Sequence, residues 1–206
     1  MTKKDTALLV FTKTPVEGQV KTRLIPIWGT QGALMLYKDL LKSTLETAIA
    51  SEIEDICLYC TPDKNEPFIQ FCSTHYEVDL GLQEGHDLGD KMYNAFTEYL
   101  RQYNKVIIIG CDCPGMNRED IKLATKKLSE GVDIVLGPSE DGGYYLIGMG
   151  KSHRELFEDI SWGTSSVLDE TRVKIARLQL ECYELKEKWD LDRPEDVYRY
   201  FEKTAL

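Results

Sequence analysis

Histidine is scarce in this chain. His75, His86 and His153 are the only three among 206 residues, and none lies in a motif that would place it beside a nucleophile or a carboxylate. Serine–histidine and cysteine–histidine nucleophiles are therefore unsupported, as is hydrolysis run by a histidine acid or base. Neither common phosphate loop is present. Gly18-x-x-Lys21-Thr22 lacks the first glycine and the Gly-Lys adjacency of a P-loop, and no G-x-G-x-x-G occurs. Positive charge is also short, with 25 lysines and arginines against 35 acids and a net charge of −10. That argues against nucleic acid or an anionic membrane as the main partner, although one basic loop can still hold a nucleotide. Long apolar runs are missing too. Met1 to Asp5 lead into a stretch too short for a signal or membrane-spanning segment, so a cytoplasmic location is expected. Repeats, linkers and low-complexity segments are absent, and a single domain over 1–206 is expected.

Cysteine is present but poorly arranged for metal. Cys57 and Cys60 have zinc-knuckle spacing, yet they sit in a strand-like run where residues three apart face opposite ways, and no second pair follows. Cys72 and Cys182 are isolated, and Cys111 and Cys113 flank Asp112. Buried, reduced thiols are the preferred reading. A thiolate beside the Asp112 carboxylate would be electrostatically disfavoured.

What organises the chain is Val106-Ile107-Ile108-Ile109-Gly110-Cys111-Asp112-Cys113-Pro114. Four branched aliphatics in a row require burial on both faces, as in a central strand of a mostly parallel sheet. Asp112 then emerges at the carboxyl end, where open α/β sheets bind ligands. As a rim residue it is expected to contribute little to packing. Strands are expected at 6–11, 56–60, 76–82, 132–136, 143–148 and 180–185. Helices are expected at 30–50, 67–72, 89–103, 117–130, 165–177 and 194–201, with Ser165 or Thr164 capping the fifth. The first five strands alternate with helices, which predicts parallel strands. The connection 137–143 is too short for a crossover, so one strand there should be antiparallel. The class is α/β with a mixed, mostly parallel sheet.

Chemistry concentrates at the expected rim. Lys13, Lys21, Thr22 and Arg23 follow the first strand with Gly18, and two point charges with an arginine fork suit a polyphosphate. Glu140-Asp141-Gly142-Gly143 lies in the short connection, where the glycines could serve the turn or a site. Asp190-Leu191-Asp192-Arg193-Pro194-Glu195-Asp196 precedes the last helix, where Asp192 could cap it or join Asp112 in a metal site.

Six ordered stretches together carry a resemblance. They are Phe11 to Pro15 with Gly18 to Leu24; Gln83 with Asp87 to Met92; Gly110 to Pro114; Gly137-Pro138 with Asp141 to Leu146; Trp162 to Thr164; and Asp190 to Asp196. The chain resembles the nucleotide-diphospho-sugar transferase superfamily of glycosyltransferase-A type. Within it, the chain is similar to bacterial glycosyltransferase-like transferases related to molybdopterin and 2-phospholactate guanylyltransferases. The resemblance implies a single-domain three-layer αβα fold. It implies that Lys13, Lys21, Thr22 and Arg23 meet phosphates, that Gln83, Asp87 and Gly89 approach base or ribose, and that Asp141, Gly142 and Gly143 face the acceptor. Asp112 and Asp192 would bind Mg2+ or Mn2+. Thr12-Lys13-Thr14-Pro15 replaces the glycine-rich opening loop of many nucleotidyltransferases.

The mechanism expected is metal-dependent nucleotidyl transfer. A small phosphorylated or hydroxylated acceptor attacks the α-phosphorus of a nucleoside triphosphate, Lys21 and Arg23 steady the departing pyrophosphate, and Asp112 holds the cation. Alternatives are a glycosyltransferase with a nucleotide-sugar donor and a non-catalytic nucleotide-binding protein. Eleven tyrosines and three tryptophans leave room for a homodimer patch that nothing in the sequence locates.

Overall fold

The computed structural model describes residues 2–204, the side chains of 203 and 204 excepted. Strands β1 (Lys4–Lys13), β2 (Asp55–Thr61), β3 (Asp79–Leu82), β4 (Tyr103–Gly110), β5 (Ile134–Pro138), β6 (Tyr144–Met149) and β7 (Cys182–Glu184) form one sheet in the order β3-β2-β1-β4-β6-β5-β7. The helices are α1 (Ile25–Ala50), α2 (Pro67–Tyr76), α3 (Leu88–Tyr99), α4 (Arg118–Ser129), α5 (Val167–Arg177) and α6 (Pro194–Thr204). The pairs β1–β2, β1–β4, β2–β3 and β5–β7 are parallel, whereas β6 runs antiparallel to both β4 and β5. The strand after the short connection is thus the reversed one, and it inserts between β4 and β5.

Burial on both sheet faces explains the aliphatic runs. Leu8, Val10, Ile107 and Ile109 pack with Tyr37 and Leu41 of α1, Ile69 of α2 and Ile121 of α4. Their neighbours Ala7, Leu9, Val106 and Ile108 pack on the other face with Met92 and Phe96 of α3 and Leu168 and Ile175 of α5. The result is a three-layer αβα domain. Val106, Ile107 and Ile109 are 0% exposed, and such side chains contribute about 1.5–3 kcal/mol each. Cys57 and Cys60 fall on opposite faces, as their spacing requires. A third cluster of Leu24, Ala33, Leu36, Leu40, Trp189, Leu191 and Val197 fastens α6 to α1 beside the carboxyl edge of the sheet.

Several boundaries differ from the sequence expectation for local reasons. Helix α2 continues to Tyr76 and ends at Glu77, which takes a left-handed backbone (φ 53°). Strand β3 therefore begins only at Asp79. Helix α1 starts at Ile25 with Pro26 in its first turn, and Gly29 breaks it at φ 69°, ψ 170°. Regular helix resumes at Thr30, the expected start. The capping box of Asn117 and Asp120 opens α4 as its spacing suggested. Ser166, not Ser165 or Thr164, occupies the cap position of α5. Thr164 instead bonds the Ser161 carbonyl at 2.7 Å and the Ser166 hydroxyl at 2.8 Å. Among the described residues, no helix is long and apolar enough to cross a membrane.

Candidate active site

All strands but β6 deliver their carboxyl ends to one edge, and there β1, β4 and the segment before α6 meet. The Leu191 N–H donates to the Asp112 carbonyl at 2.7 Å, which lays the late acidic segment against the exit of β4. Between them lies Lys21. Its backbone is left-handed at φ 47°, which turns the side chain inward. The Lys21 Nζ donates to the Leu191 carbonyl at 2.5 Å. It stands 2.6 Å from Asp112 Oδ1 and 4.0 Å from Asp192 Oδ1. Burial works against this ammonium, but the charge of the Asp112 carboxylate beside it outweighs burial, and the lysine is held above its ordinary value.

Asp192 does not cap α6. Its carboxylate bonds to Arg23, while Asp196 accepts from the backbone N–H groups of Asp192 at 3.1 Å and Arg193 at 2.7 Å. Arg23 and Thr22 are exposed, and so is Lys13 at the end of β1. The Lys13 backbone is pinned by the Tyr37 hydroxyl, which accepts from its N–H at 2.8 Å and lies 2.7 Å from Thr12 Oγ1. The Cys111 thiol donates to the same hydroxyl at 3.5 Å. Tyr37 thereby ties the exits of β1 and β4 together from α1.

The remaining expected site residues are distributed around this centre. Gln83 is buried and spans two strands, its Nε2 donating to the Thr12 carbonyl at 3.1 Å and the Tyr59 carbonyl at 2.6 Å. Asp141 accepts from the Gly143 N–H at 2.9 Å, closing the turn before β6. Gly142 has φ +87°, and a Cβ there would overlap the Ser165 carbonyl. The turn reading of Gly142 is thus required by its backbone and its neighbour. Asp87 is the N-cap of α3, accepting from the Asp90 N–H at 2.8 Å. Gly89 is a close-packing residue, since a Cβ would come within 2.6 Å of both the Phe157 carbonyl and Trp162 Nε1.

One acid of the centre went unassigned from the sequence. Asp190 accepts from the Ser139 hydroxyl, and Ser139 is only 2% exposed. Burial, with Asp141 and Asp112 adding to it, pushes the Asp190 carboxyl up to about 7, against the Ser139 bond and Lys21. Its signal was a carboxylate directly after the apolar Trp189, one residue from Asp192. Burial also pushes the thiols of Cys111 and Cys113 up, to about 11 and about 12, which fits inert structural cysteines.

The chemistry of the donors fits a divalent ion. Asp112 Oδ1 is buried and accepts no well-aligned hydrogen bond, and it shares one ammonium with Asp192. Two carboxylates converging on one cation, with half of the Asp112 side chain open to solvent, match an ion that keeps water and phosphate as its other ligands. Among the described residues, no group of three or more His, Cys, Asp or Glu side chains is arranged to hold a metal.

The chain is similar to proteins of known structure. The family described as "Uncharacterized protein conserved in bacteria (DUF2064)" matches residues 44–164. A nucleotide-diphospho-sugar transferase, so assigned, from Desulfovibrio desulfuricans G20 superposes with a TM-score of 0.83 at 30% identity, covering 92% of this chain and 83% of the other. The 4-diphosphocytidyl-2C-methyl-D-erythritol synthase of Anaerococcus prevotii DSM 20548 shares the fold at a TM-score of 0.66, with 11% identity over 98% and 97% of the chains. Glucosyl-3-phosphoglycerate synthase of Mycobacterium tuberculosis, solved with Mn2+, uridine diphosphate and glucosyl-3-phosphoglycerate, gives 0.60 at 9% identity over 97% and 76%. No curated protein sequence matches the chain. With the family match over more than half of its length and a 30% identical relative over most of it, the chain belongs to the DUF2064 family, within the nucleotide-diphospho-sugar transferase superfamily of enzymes.

Proposed function

We propose that this enzyme transfers a nucleotidyl group from a nucleoside triphosphate to a small phosphorylated or hydroxylated acceptor, releasing pyrophosphate. The observation that carries the reading is the convergence of Asp112 and Asp192 on one cation at the carboxyl edge of the sheet, with Arg23 exposed beside them. Asp112 and Asp192 would hold Mg2+ or Mn2+. When bound, the ion would neutralise charge growing on the phosphoryl group. The acceptor oxygen forms a bond to the α-phosphorus as the bond from that phosphorus to the β-phosphate bridging oxygen breaks. Arg23 offers a fork and Lys13 a point charge to the departing pyrophosphate. In the bare protein Lys21 offsets the Asp112 charge from inside the site. Gln83 holds the exits of β1 and β2, and Asp141 flanks the acceptor side. Asp87 lies at the α3 terminus on the side assigned to base or ribose.

Glycosyl transfer from a nucleotide sugar is the second reading. The name of the 30% identical relative favours it, and the same two carboxylates would serve it. The products separate the two. Purified enzyme is incubated with each nucleoside triphosphate or nucleotide sugar, Mg2+ and a panel of phosphorylated and hydroxylated acceptors. Pyrophosphate release supports nucleotidyl transfer. Nucleoside diphosphate release from a nucleotide sugar replaces it with glycosyl transfer, and nucleotide binding without turnover leaves a binding protein.

A further inference from the structure

Lys21 is placed unlike the other cations of its loop. Lys13 and Arg23 face solvent, whereas the Lys21 side chain is 3% exposed. Its φ of 47° is a backbone region that residues other than glycine seldom adopt. That turn drives the ammonium to 2.6 Å from Asp112 Oδ1, to 4.0 Å from Asp192 Oδ1, and into a 2.5 Å hydrogen bond with the Leu191 carbonyl. Asp112 Oδ1 is buried without a well-aligned hydrogen bond, so its compensation is the Lys21 charge. Lys21 thus sits between the two carboxylates that would hold a divalent ion, paired directly with Asp112 and facing Asp192, whose direct partner is Arg23.

From this we infer that Lys21 is the resident counter-cation of the metal site. Its ammonium offsets Asp112 and faces Asp192 in the metal-free enzyme, and a divalent ion binding the bare protein must displace it. The inference rests on the reading of Asp112 and Asp192 as the metal ligands. An ammonium and a dication cannot share one carboxylate edge without strong repulsion in a partly dehydrated site. A polyphosphate supplies the anion that a displaced ammonium needs, so nucleotide and metal bind with positive coupling. Lys21 then changes partner between the two states, from Asp112 to phosphate. This makes it a positioning group for the carboxylates before it is a phosphate ligand.

The test uses Mn2+ alone, titrated by calorimetry into nucleotide-free wild type, Lys21→Met and Arg23→Met. Lys21→Met is expected to bind Mn2+ at least about tenfold more tightly than wild type. Arg23→Met removes the exposed cation paired directly with Asp192 and is the comparison for Lys21→Met; because that guanidinium is exposed and screened, its gain is expected to stay under about threefold. A second measurement needs no variant. Acetylation of wild-type Lys21 by an N-hydroxysuccinimide ester, followed by mass spectrometry, is slow in the bare protein and accelerates at saturating Mn2+. Lys21→Met affinity within about twofold of wild type, or Lys21 still protected at saturating Mn2+, overturns the inference. If Mn2+ binding persists in that case and is lost in Asp112→Asn, the metal reading survives without it. Mn2+ failing to bind Lys21→Met also overturns the inference, and failure to bind even with a nucleoside triphosphate present removes the metal reading as well. Should Lys21→Met not fold, the labelling result decides.

Discussion

Replacing Asp112 tests the electrostatic centre through stability alone. A carboxylate at a sheet rim is expected from sequence to matter little for packing, but the structure pairs it with a buried lysine. Asp112→Asn leaves the Lys21 ammonium with the Leu191 carbonyl and with Asp192 at 4.0 Å. Removing one partner of a buried pair costs about 3–5 kcal/mol, because the other charge stays behind without its counter-ion. Fully exposed pairs contribute about 0–1 kcal/mol. Asp112 is 51% exposed and Lys21 3%, so solvent screens one side only, and a loss of about 2 kcal/mol is expected. For a domain of this size that corresponds to a Tm drop of roughly 4–8 °C. The assay is urea unfolding at pH 7 in chelator, with equal m-values required of wild type and variant. The double variant Lys21→Met/Asp112→Asn removes the stranded charge as well and should recover part of the loss. An Asp112→Asn stability within about 0.5 kcal/mol of wild type would refute the reasoning. So would a double variant no more stable than Asp112→Asn.

Other expectations test the surroundings of the site. Gly142→Ala sets a Cβ against the Ser165 carbonyl at φ +87°, whereas Gly18→Ala at φ +76° meets nothing within 4 Å. Urea unfolding should show a loss of about 2–3 kcal/mol or more for Gly142→Ala and about 1 kcal/mol for Gly18→Ala, and equal losses would contradict the close approach. The Asp190 carboxyl stands at about 7 when folded, from an ordinary value of 3.8. It binds its proton more tightly in the folded chain, so the stability it contributes is complete below about pH 4 and lost as pH rises through about 7. Metal-free wild type should therefore lose stability relative to Asp190→Asn between pH 5 and 8, on the order of 2–4 kcal/mol in all; parallel profiles would contradict it. The buried thiols of Cys57, Cys60, Cys111 and Cys113 stand at about 11 to 12. An aromatic disulfide reagent at pH 7.5 should thus titrate them only after unfolding, and rapid native reaction at Cys111 or Cys113 would contradict their burial.

The fold was legible because its dominant signals are local. Aliphatic runs such as Val106 to Ile109 can be satisfied only between two helical layers, and a short connection at 139–143 forces the following strand to reverse. The strand order, with β6 between β4 and β5, has no such local mark, because pairing partners far apart in sequence are chosen by the whole sheet. At the site, Asp112 and Asp192 were legible as acids at strand and helix ends. Lys21 was legible as a cation but not as an internal one, since its direction depends on a left-handed backbone that lysine seldom adopts. Gln83 reads as a polar residue at a loop; that its amide reaches across β2 to the end of β1 depends on strand order. Gly89 reads as a site glycine, yet the closeness of Trp162 and Phe157 arises from a segment about 70 residues later. Asp190 was hidden by Asp192, because two acids separated by a single residue look alike until one is buried against Ser139.

The most direct measurement of the central claim is calorimetric titration of the four nucleoside triphosphates and a set of nucleotide sugars into the wild-type enzyme, with Mg2+ and with chelator. One triphosphate is expected to bind in a Mg2+-dependent manner and to weaken in Arg23→Gln, which leaves the buried Lys21–Asp112 pair intact. A nucleotide sugar binding in place of every triphosphate would move the enzyme to glycosyl transfer. No nucleotide binding with Mg2+ present would contradict the account at its centre.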